Sequence, residues 1–447
     1  MATNWLDRTL SRLDDTPRFA VCGRVNRVIG QVVEVSSLPV AVGEVCRIVP
    51  DGQDALLAQV VGFHERGVLL MPLGRVEGIH PGAEVVPLRH AFDADVGESL
   101  VGRVLDGLGR PLDGLGPLGT TRRRSLGADA PDPLGRSRID TPLGTGVRAL
   151  DGLITIGRGQ RIGIMAGSGV GKSVLMGMIA RHTTADINVI ALLGERGREV
   201  REFIERDLGP EGLARSVVIA ATGDQAAVVR ATGAQVATSI AEYFRDTGRN
   251  VLLMMDSVTR VAMAWREIGL AVGEPPATKG YPPSVFALLP RLLERAGTSD
   301  RGSITGLYTV LVEGDDFNDP VADSARSILD GHIVLTRRLA NTKHFPAIDV
   351  LESVSRVRDA VVSPQAREDA DLFLRVEAAY RANEDLITVG AYNPGADQWT
   401  DAAIALRPQA LDFLRQQAHD HTPIQGSRDR LAAFATLVRA RVKTGVA

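Results

Sequence analysis

The sequence predicts an α/β protein: a RecA-like P-loop core with a parallel sheet, preceded by a small β-barrel and followed by an α-helical domain. Three observations lead to this class. Short Val-rich runs separated by Gly and Pro fill residues 19–88, apolar runs alternate with helical patterns beyond Gly146, and the part from about Ser363 is polar with helical spacing. The boundaries we predict are 1–18 for an N-terminal amphipathic segment, 19–92 for the barrel, 93–362 for the core and 363–447 for the helices.

Composition limits what the chain can bind directly. Its 447 residues include 51 Lys and Arg against 54 Asp and Glu, a net charge of −3, which gives no overall attraction for nucleic acid or acidic membranes. Apolar runs stay well below the roughly 20 residues that span a bilayer, so we expect a membrane role only through partners. Cys22 and Cys46 lie in apolar, strand-like segments and are expected to be buried free thiols of a cytosolic protein.

The N-terminal segment has the spacing of a short amphipathic helix. Between Asn4 and Leu13, apolar Trp5, Leu6 and Leu10 recur near helical spacing, and Pro17 follows. A helix this short is marginal in water, so a frayed tail is the alternative reading. If the helix forms, its apolar side chains need a partner surface.

The first domain consists of strand-like runs without helical periods, which favours a closed barrel or a sandwich. These runs are 21–28, 31–35, 45–49, 55–63, 67–71 and 83–88. From about Val96 to Pro142 the chain is rich in Gly, Pro and Arg. Within it we expect Arg122, Arg123 and Arg124 to form a solvated loop, with a phosphate or partner contact as the alternative.

The core is predicted from near-continuous apolar runs, which are typical of parallel strands covered on both faces. These runs are 162–165, 188–193, 217–221, 250–255, 305–312 and 331–335, with helical patterns such as 226–244 and 285–294 between them.

A P-loop follows the first of these strands. It consists of Ala166, Gly167, Ser168, Gly169, Val170, Gly171, Lys172 and Ser173. Its glycines let backbone N–H groups turn toward a polyphosphate at the positive end of a helix. Lys172 supplies a charge for the β- and γ-phosphates and Ser173 a hydroxyl for Mg²⁺. Ala166 stands where the pattern usually has its first glycine. The motif predicts a nucleoside triphosphatase that uses Mg²⁺.

Two carboxylates follow apolar strands at places that suit this chemistry. Asp256 ends the run 251–256, as a Walker B residue that holds the Mg²⁺ shell does. Glu195 follows the run 188–193 and could orient the attacking water. Because a helical pattern begins just after it, Glu195 could instead be an acid that stabilises a helix N-terminus.

These motifs together resemble the hexameric rotary ATPase family. The resemblance rests on Gly194-Glu195-Arg196, on 145–153 before the P-loop and on Ser353-Val-Ser-Arg356. Within that family, 280–286, 313–320 and 327–335 are similar to the ATPases of type III protein export, the flagellar member most closely and the virulence injectisome member next. The resemblance covers nearly the whole chain and implies a homohexamer with sites at subunit interfaces.

The resemblance alone implies specific roles for several residues near the nucleotide. It implies that Glu195 is the catalytic glutamate and that Arg196 and Arg260 lie near the phosphates. Arg356 would be an arginine finger on the neighbouring subunit's γ-phosphate, with Arg358 as its competitor. Phe345 would stack on adenine, and a buried core phenylalanine is the alternative.

The resemblance also implies the biological setting, a cytoplasmic ATPase peripheral to the inner-membrane export apparatus. Its partners would be a stator-like regulatory protein at the N-terminal segment, a central-stalk protein, the export gate and chaperone–substrate complexes, with the C-terminal helices and residues 388–395 facing some of them. No specific nucleic acid is expected.

Three other functions compete with that of an export ATPase. A catalytic subunit of a rotary ion-translocating ATP synthase would lack the Tyr281-Pro282-Pro283-Ser284 stretch. A non-catalytic architectural subunit would lack Glu195. An RNA-translocating hexamer needs an aromatic surface for stacking bases, whereas aromatic residues make up 4% of this chain.

Overall fold

A computed structural model describes residues 21–443 except 51, 53, 66, 121 and 313–318. The helix predicted for Asn4–Leu13 and most of the motif 313–320 lie outside the described residues. The chain separates into two compact units. One contains the chain up to Phe92 with Ala226–Val228 and Glu267–Pro275, and the other contains the remaining residues.

The first unit contains a closed β-barrel, as predicted. Its strands are β1 Gly23–Ile29, β2 Val32–Val35, β3 Glu44–Val49, β4 Leu56–His64, β5 Gly67–Pro72 and β6 Glu84–Ala91, paired in the order β1-β2-β5-β4-β3-β6. Alternating side chains such as Val33, Ile48 and Leu70 are fully buried and fill the interior. This part of the chain therefore forms a closed barrel and not a two-sheet sandwich.

The Gly-, Pro- and Arg-rich linker contains more ordered structure than we predicted. It holds β7 Asp93–Val96, β8 Val104–Asp106, β9 Arg122–Ser125 and β10 Pro142–Leu143, with short 3-10 turns at Glu98–Leu100 and Pro133–Gly135. The Arg triplet is strand β9, paired with β7. Arg124 bonds the carboxylates of Glu242 at 3.0 Å and Asp246 at 2.7 Å. The expectation of a solvated loop was wrong for Arg124, because the buried Glu242 needs its charge neutralised.

The second unit is built on one large sheet. After β11 Ile156–Gly157 come β12 Arg161–Ala166, β13 Ile187–Leu193, β14 Ser216–Ala221, β15 Asn250–Asp256, β16 Gly297–Thr298, β17 Ser303–Leu311, β18 Gly331–Leu335 and β19 Ile348–Ser355. The strand order is β19-β18-β12-β17-β15-β13-β14-β8. The strands from β18 to β14 are mutually parallel, as predicted. β8, from the linker, extends this parallel sheet, whereas the edge strand β19 is antiparallel to β18.

Helices alternate with the strands of the sheet and follow it along the chain, the last one ending at Lys443. Their bounds are Arg148–Leu153, Lys172–His182, Gly197–Glu202, a π-helical turn Phe203–Leu208, Gly209–Leu213, Ala227–Asp246, Val258–Ala271, a 3-10 turn Thr278–Gly280, Pro283–Leu293, Pro320–Ile328, Arg337–Asn341, Arg358–Val361, Pro364–Thr388, Gln398–Ala405, Arg407–Leu414 and Ile424–Lys443.

The C-terminal helices share a hydrophobic core with the sheet. The Phe373 ring lies 5.1 Å from the Phe413 ring and 4.6 Å from the Phe434 ring, centroid to centroid. These aromatic side chains belong to the same buried cluster as Leu150 and Ile179. The helical part is thus held by apolar burial against the core rather than joined to it by a linker alone.

The two thiols differ in environment. Cys46, in β3, is buried, and burial raises the pKa of its thiol to about 11. Cys22 is exposed, so its predicted burial was wrong; it precedes Gly23, where the barrel's first strand begins. No helix among the described residues is both long and apolar enough to cross a bilayer.

Candidate active site

The P-loop has the geometry of an anion cradle. Strand β12 ends at Ala166 and the helix Lys172–His182 begins immediately after the loop. Gly169 and Gly171 have φ of 79° and 88°, in the left-handed region that glycine adopts without strain. The first N–H groups of the helix have no partners within it, so they are available to phosphate oxygens.

Ala166 replaces the first glycine of the motif without cost to the loop. It is the last residue of β12, buried, and its carbonyl accepts a hydrogen bond from the Val312 N–H at 3.0 Å. Extended backbone accepts any residue, so a methyl group fits where the turn has not yet started. The departure noted in the sequence therefore leaves the cradle intact.

Three charged side chains meet at the carboxyl edge of the sheet. The Lys172 ammonium pairs with the Asp256 carboxylate and lies 3.6 Å from Glu195 Oε1. All three are largely buried, with side-chain exposures of 13%, 5% and 15% respectively. The carboxyl ends of parallel strands meet at one edge, which is why residues far apart in sequence converge here.

Glu195 lies in an environment that disfavours its charge. Burial raises the pKa of its carboxyl above the ordinary value and the charge of Asp256 adds to this, while Lys172 opposes it. Its Oε1 atom is buried without a hydrogen-bond partner among the described residues. Such a carboxylate is suited to accept a hydrogen bond from a water molecule beside a bound phosphate.

Arg260 lies against the turn that presents Glu195. Gly194, with φ of 75°, packs on it so closely that a Cβ there would lie 2.8 Å from the Arg260 Cβ. The Arg260 Nε is buried without a hydrogen-bond partner in the described chain, and its Nη1 lies 3.7 Å from the sulfur of Met263. The guanidinium is thus close to the site and available to an anion.

Sequence reasoning missed Thr309, which contacts the site directly. Its Oγ1 donates to Asp256 Oδ1 at 2.6 Å from the neighbouring strand β17, and its side chain is fully buried. One threonine among several hydroxyl-bearing residues of a largely apolar strand is a weak sequence signal. Only the pairing of β15 with β17 brings this hydroxyl to that carboxylate.

Phe345 lies beside the P-loop, and the residue is 41% exposed. A Cβ on Gly171 would lie 3.5 Å from two of its ring carbons. The Gln416 N–H donates to the Phe345 carbonyl at 2.9 Å, so the segment after the helix Arg407–Leu414 holds the aromatic in place. An exposed ring next to a phosphate cradle is a surface on which a base can stack.

Arg196 is not brought to the charged cluster. Its side chain is 81% exposed and pairs with Glu199 at 3.3 Å. The structure therefore places it at the start of the helix Gly197–Glu202, directed toward solvent.

Arg356 lies at the opposite edge of the sheet from its own P-loop. β19 runs antiparallel to β18, so Ser355 pairs with Gly331 at the amino end of β18. The carboxyl end of β18, at Leu335, is level with Ala166, where the P-loop starts. At about 3.3 Å per residue the two edges are about 15 Å apart, further than one side chain reaches. Arg356 is exposed, and its guanidinium has no ion pair with any described residue.

Arg358, the competitor, is held within its own chain. It bonds Asp371 at 2.9 Å and Asp359 at 3.2 Å, and its side chain is 19% exposed. A guanidinium already neutralised by two carboxylates is poorly suited to meet a phosphate on another molecule.

Comparison with known proteins matches the whole architecture. Residues 25–89 match the β-barrel domain and residues 146–355 the nucleotide-binding domain of the ATP synthase alpha/beta family. Residues 362–433 match the T3SS EscN ATPase C-terminal domain.

Curated relatives and solved structures agree with these matches. The chain is 50% identical to the flagellum-specific ATP synthase of Bacillus subtilis, covering 98% of this chain and 99% of that one. It is 51% identical to the type 3 secretion system ATPase of Xanthomonas euvesicatoria, covering 92% of each. The assembled ATPase EscN of the enteropathogenic E. coli type III secretion system superposes with a TM-score of 0.88 at 45% identity, covering 92% of this chain and 100% of that one.

Proposed function

The chain belongs to the type III export branch of the ATP synthase alpha/beta family, and from this premise we propose that it hydrolyses ATP to energise protein export, in the flagellum in particular. Flagellar relatives from Bacillus subtilis and Salmonella typhimurium are 50% and 52% identical over 98% and 93% of this chain. A virulence injectisome is the second candidate, since the Xanthomonas relative is 51% identical.

The cluster of Lys172, Glu195 and Asp256 beside the P-loop carries this proposal. The loop amides and Lys172 bind the phosphates and neutralise charge that develops on the transferred group. Glu195 holds the attacking water, because its buried Oε1 atom lies 3.6 Å from the phosphate-binding Lys172 and accepts no hydrogen bond from the described residues. The nearby Arg260 guanidinium adds positive charge next to the phosphates.

The donor set fits Mg²⁺. Asp256 offers a carboxylate and Ser173, the second residue of the P-loop helix, a hydroxyl, and Mg²⁺ typically takes one or two protein oxygens together with phosphates and water. Bound there, the ion would polarise the phosphates. The Thr309 hydroxyl and the Lys172 ammonium both contact Asp256 Oδ1, and no described residue bonds the other carboxylate oxygen, which can enter the metal shell.

Arg356 completes the site of a neighbouring subunit. Arg356 lies at the far edge of the sheet, too far to reach a phosphate bound at its own P-loop. Its exposed position fits a role in which the guanidinium supplies positive charge to the site of another copy. Arginine fingers contribute about 10³ to 10⁵ in rate, so monomers should hydrolyse ATP slowly. We propose a homohexamer as the active form.

The cellular setting follows from the same family membership. EscN has also been solved in complex with its central stalk EscO. That structure matches this chain with a TM-score of 0.86 at 44% identity, covering 92% of this chain and 100% of that one. We extend a stalk partner to this protein and place it in the cytoplasm beside the export apparatus. A stator-like protein at residues 1–18, the export gate and chaperone–substrate complexes complete the proposed partners.

Steady-state ATP hydrolysis as a function of protein concentration tests this function. Wild-type turnover per subunit should rise as subunits assemble, and Glu195→Gln should abolish it. Arg356→Ala should keep ATP binding while reducing kcat, whereas Arg358→Ala should leave kcat nearly unchanged. Turnover that is independent of assembly and of Arg356 would refute catalysis in trans. Restoring motility to a strain without its flagellar ATPase would assign the export system; restored injectisome secretion alone would assign the other.

A further inference from the structure

The backbone of Arg356 is held by a partly buried set of hydrogen bonds. Its N–H donates to the Asp330 carbonyl at 2.9 Å. The same carbonyl accepts from Gln160 Nε2 at 3.1 Å, and Gln160 Nε2 also lies 3.1 Å from the hydroxyl of Ser355. Gln160 is fully buried, so its amide bridges the residue before the finger and the carbonyl that binds the finger.

The Asp330 side chain is fixed as firmly as its carbonyl. Its carboxylate accepts from the Arg161 N–H at 3.0 Å and from Arg161 Nε and Nη2, each at 3.2 Å. Arg161 also pairs with Glu294 and is largely buried. The two ends of Asp330 therefore tie β18 to the start of β12.

A glycine makes the approach of the two strands possible. A Cβ on Gly331 would lie 2.2 Å from the Val354 carbonyl oxygen and 3.1 Å from the Ser355 Cα. With φ of 153°, Gly331 lets β18 and β19 come together next to Arg356.

We call the set Gln160, Asp330 and Ser355 the clamp, and one strand joins it to the subunit's own P-loop. β12 begins at Arg161, directly after Gln160, and ends at Ala166 where the P-loop starts. The Arg356 backbone is thus fixed to the strand that carries the P-loop, while its guanidinium remains exposed.

We propose that Gln160 and Asp330 are positioning residues that hold Arg356 for reaction on the neighbouring subunit. The proposal rests on the trans role of Arg356 proposed above. A displacement of about 1 Å of a group that acts on the transition state can cost about 10²-fold in rate. Loss of the clamp should therefore lower kcat at the neighbour's site and leave the subunit's own ATP binding intact.

Mixed oligomers separate this role from a structural one. A donor chain carrying Lys172→Ala can supply only its Arg356, and an acceptor chain carrying Arg356→Ala can supply only its P-loop. Mixing the two should restore ATP hydrolysis at donor–acceptor interfaces. Gln160→Met is then added to the donor or, as the matched control, to the acceptor, and kcat and KM for ATP are measured.

Gln160→Met in the donor should reduce the restored kcat about 10- to 100-fold with KM unchanged. In the acceptor it should leave the restored kcat unchanged, because that chain has no finger to position. Equal losses in both arms, or no loss in the donor arm, would overturn the clamp and leave catalysis in trans standing. No restored activity in the parental mixture would overturn the trans role and the clamp with it.

Ser355→Ala covers the case in which Gln160→Met does not fold. It deletes a hydroxyl that bonds Gln160 and also donates to the Thr155 carbonyl at 2.9 Å, and it should give the same donor-only loss of kcat, about 3- to 10-fold. Equal donor and acceptor effects for this variant would overturn the proposal in the same way.

Discussion

Replacing Thr309 by valine removes one hydrogen bond from Asp256 and leaves the shape of the side chain almost unchanged. The bond is short, 2.6 Å from Thr309 Oγ1 to Asp256 Oδ1, and its acceptor is an ionised carboxylate in a buried place. Without it, Lys172 is the remaining side chain paired with Oδ1 among the described residues, and no hydroxyl on β17 keeps the carboxylate oriented so that its other oxygen can reach a metal ion.

The size of the effect follows from the bond. Hydrogen bonds to charged groups contribute about 1.5–3 kcal/mol, and about 1.4 kcal/mol corresponds to a factor of ten. We therefore expect Thr309→Val to raise the Mg²⁺ concentration for half-maximal ATP hydrolysis about 10- to 100-fold. The measurement is a Mg²⁺ titration of steady-state hydrolysis at fixed ATP.

Two further variants make this titration decisive. Thr309→Ser keeps the donor and should titrate like the wild type. Thr238→Val removes an equally buried hydroxyl, which bonds Ala234 within its own helix at 2.8 Å, and controls for a loss of stability alone. An unchanged Mg²⁺ requirement for Thr309→Val, or an equal shift for Thr238→Val, would refute the reasoning.

Three more predictions concern pH, base binding and stability. Burial raises the pKa of Glu195, and the carboxyl must be ionised to act on water, so kcat should fall on acidification at a pH above the pKa of an ordinary glutamate, about 4.3. An acid limb of the kcat profile at or below that value would contradict this. Phe345→Ala should raise KM for ATP about tenfold through lost stacking, while Phe345→Tyr stays near wild type. Equal KM values for Phe345→Ala and the wild type in a saturation assay would refute the contact between Phe345 and the base. Arg295→Met removes one of the two arginines, Arg124 being the other, that neutralise the buried Glu242, and it should cost about 3–5 kcal/mol in urea unfolding. The exposed Arg301→Met should cost under about 1 kcal/mol, and similar costs for the two variants would contradict the burial argument.

The site was predictable to the extent that its chemistry is local. The P-loop, Asp256 and Glu195 each follow an apolar strand directly, so the sequence reveals both the residue and the edge of the sheet it occupies. The closed barrel and the parallel core were predictable for the same reason, since their periodicity reports burial within a few residues.

Contacts between distant strands could not be predicted in this way. Thr309 is one of several hydroxyl-bearing residues in a largely apolar strand, and its partner Asp256 is set by strand order. Arg124 looked like part of a solvated triplet until the helix Ala227–Asp246 placed Glu242 against it.

What the sequence by itself determined is the set of elements and the chemical groups at their ends, because hydrophobic periodicity and loop motifs act over neighbouring residues. Tertiary structure alone decided that β19 runs antiparallel, and this places Arg356 about 15 Å from its own P-loop by the rise of about 3.3 Å per residue. Strand direction at a sheet edge depends on which backbone groups remain unpaired there and on the packing of the whole core, and no local pattern encodes it.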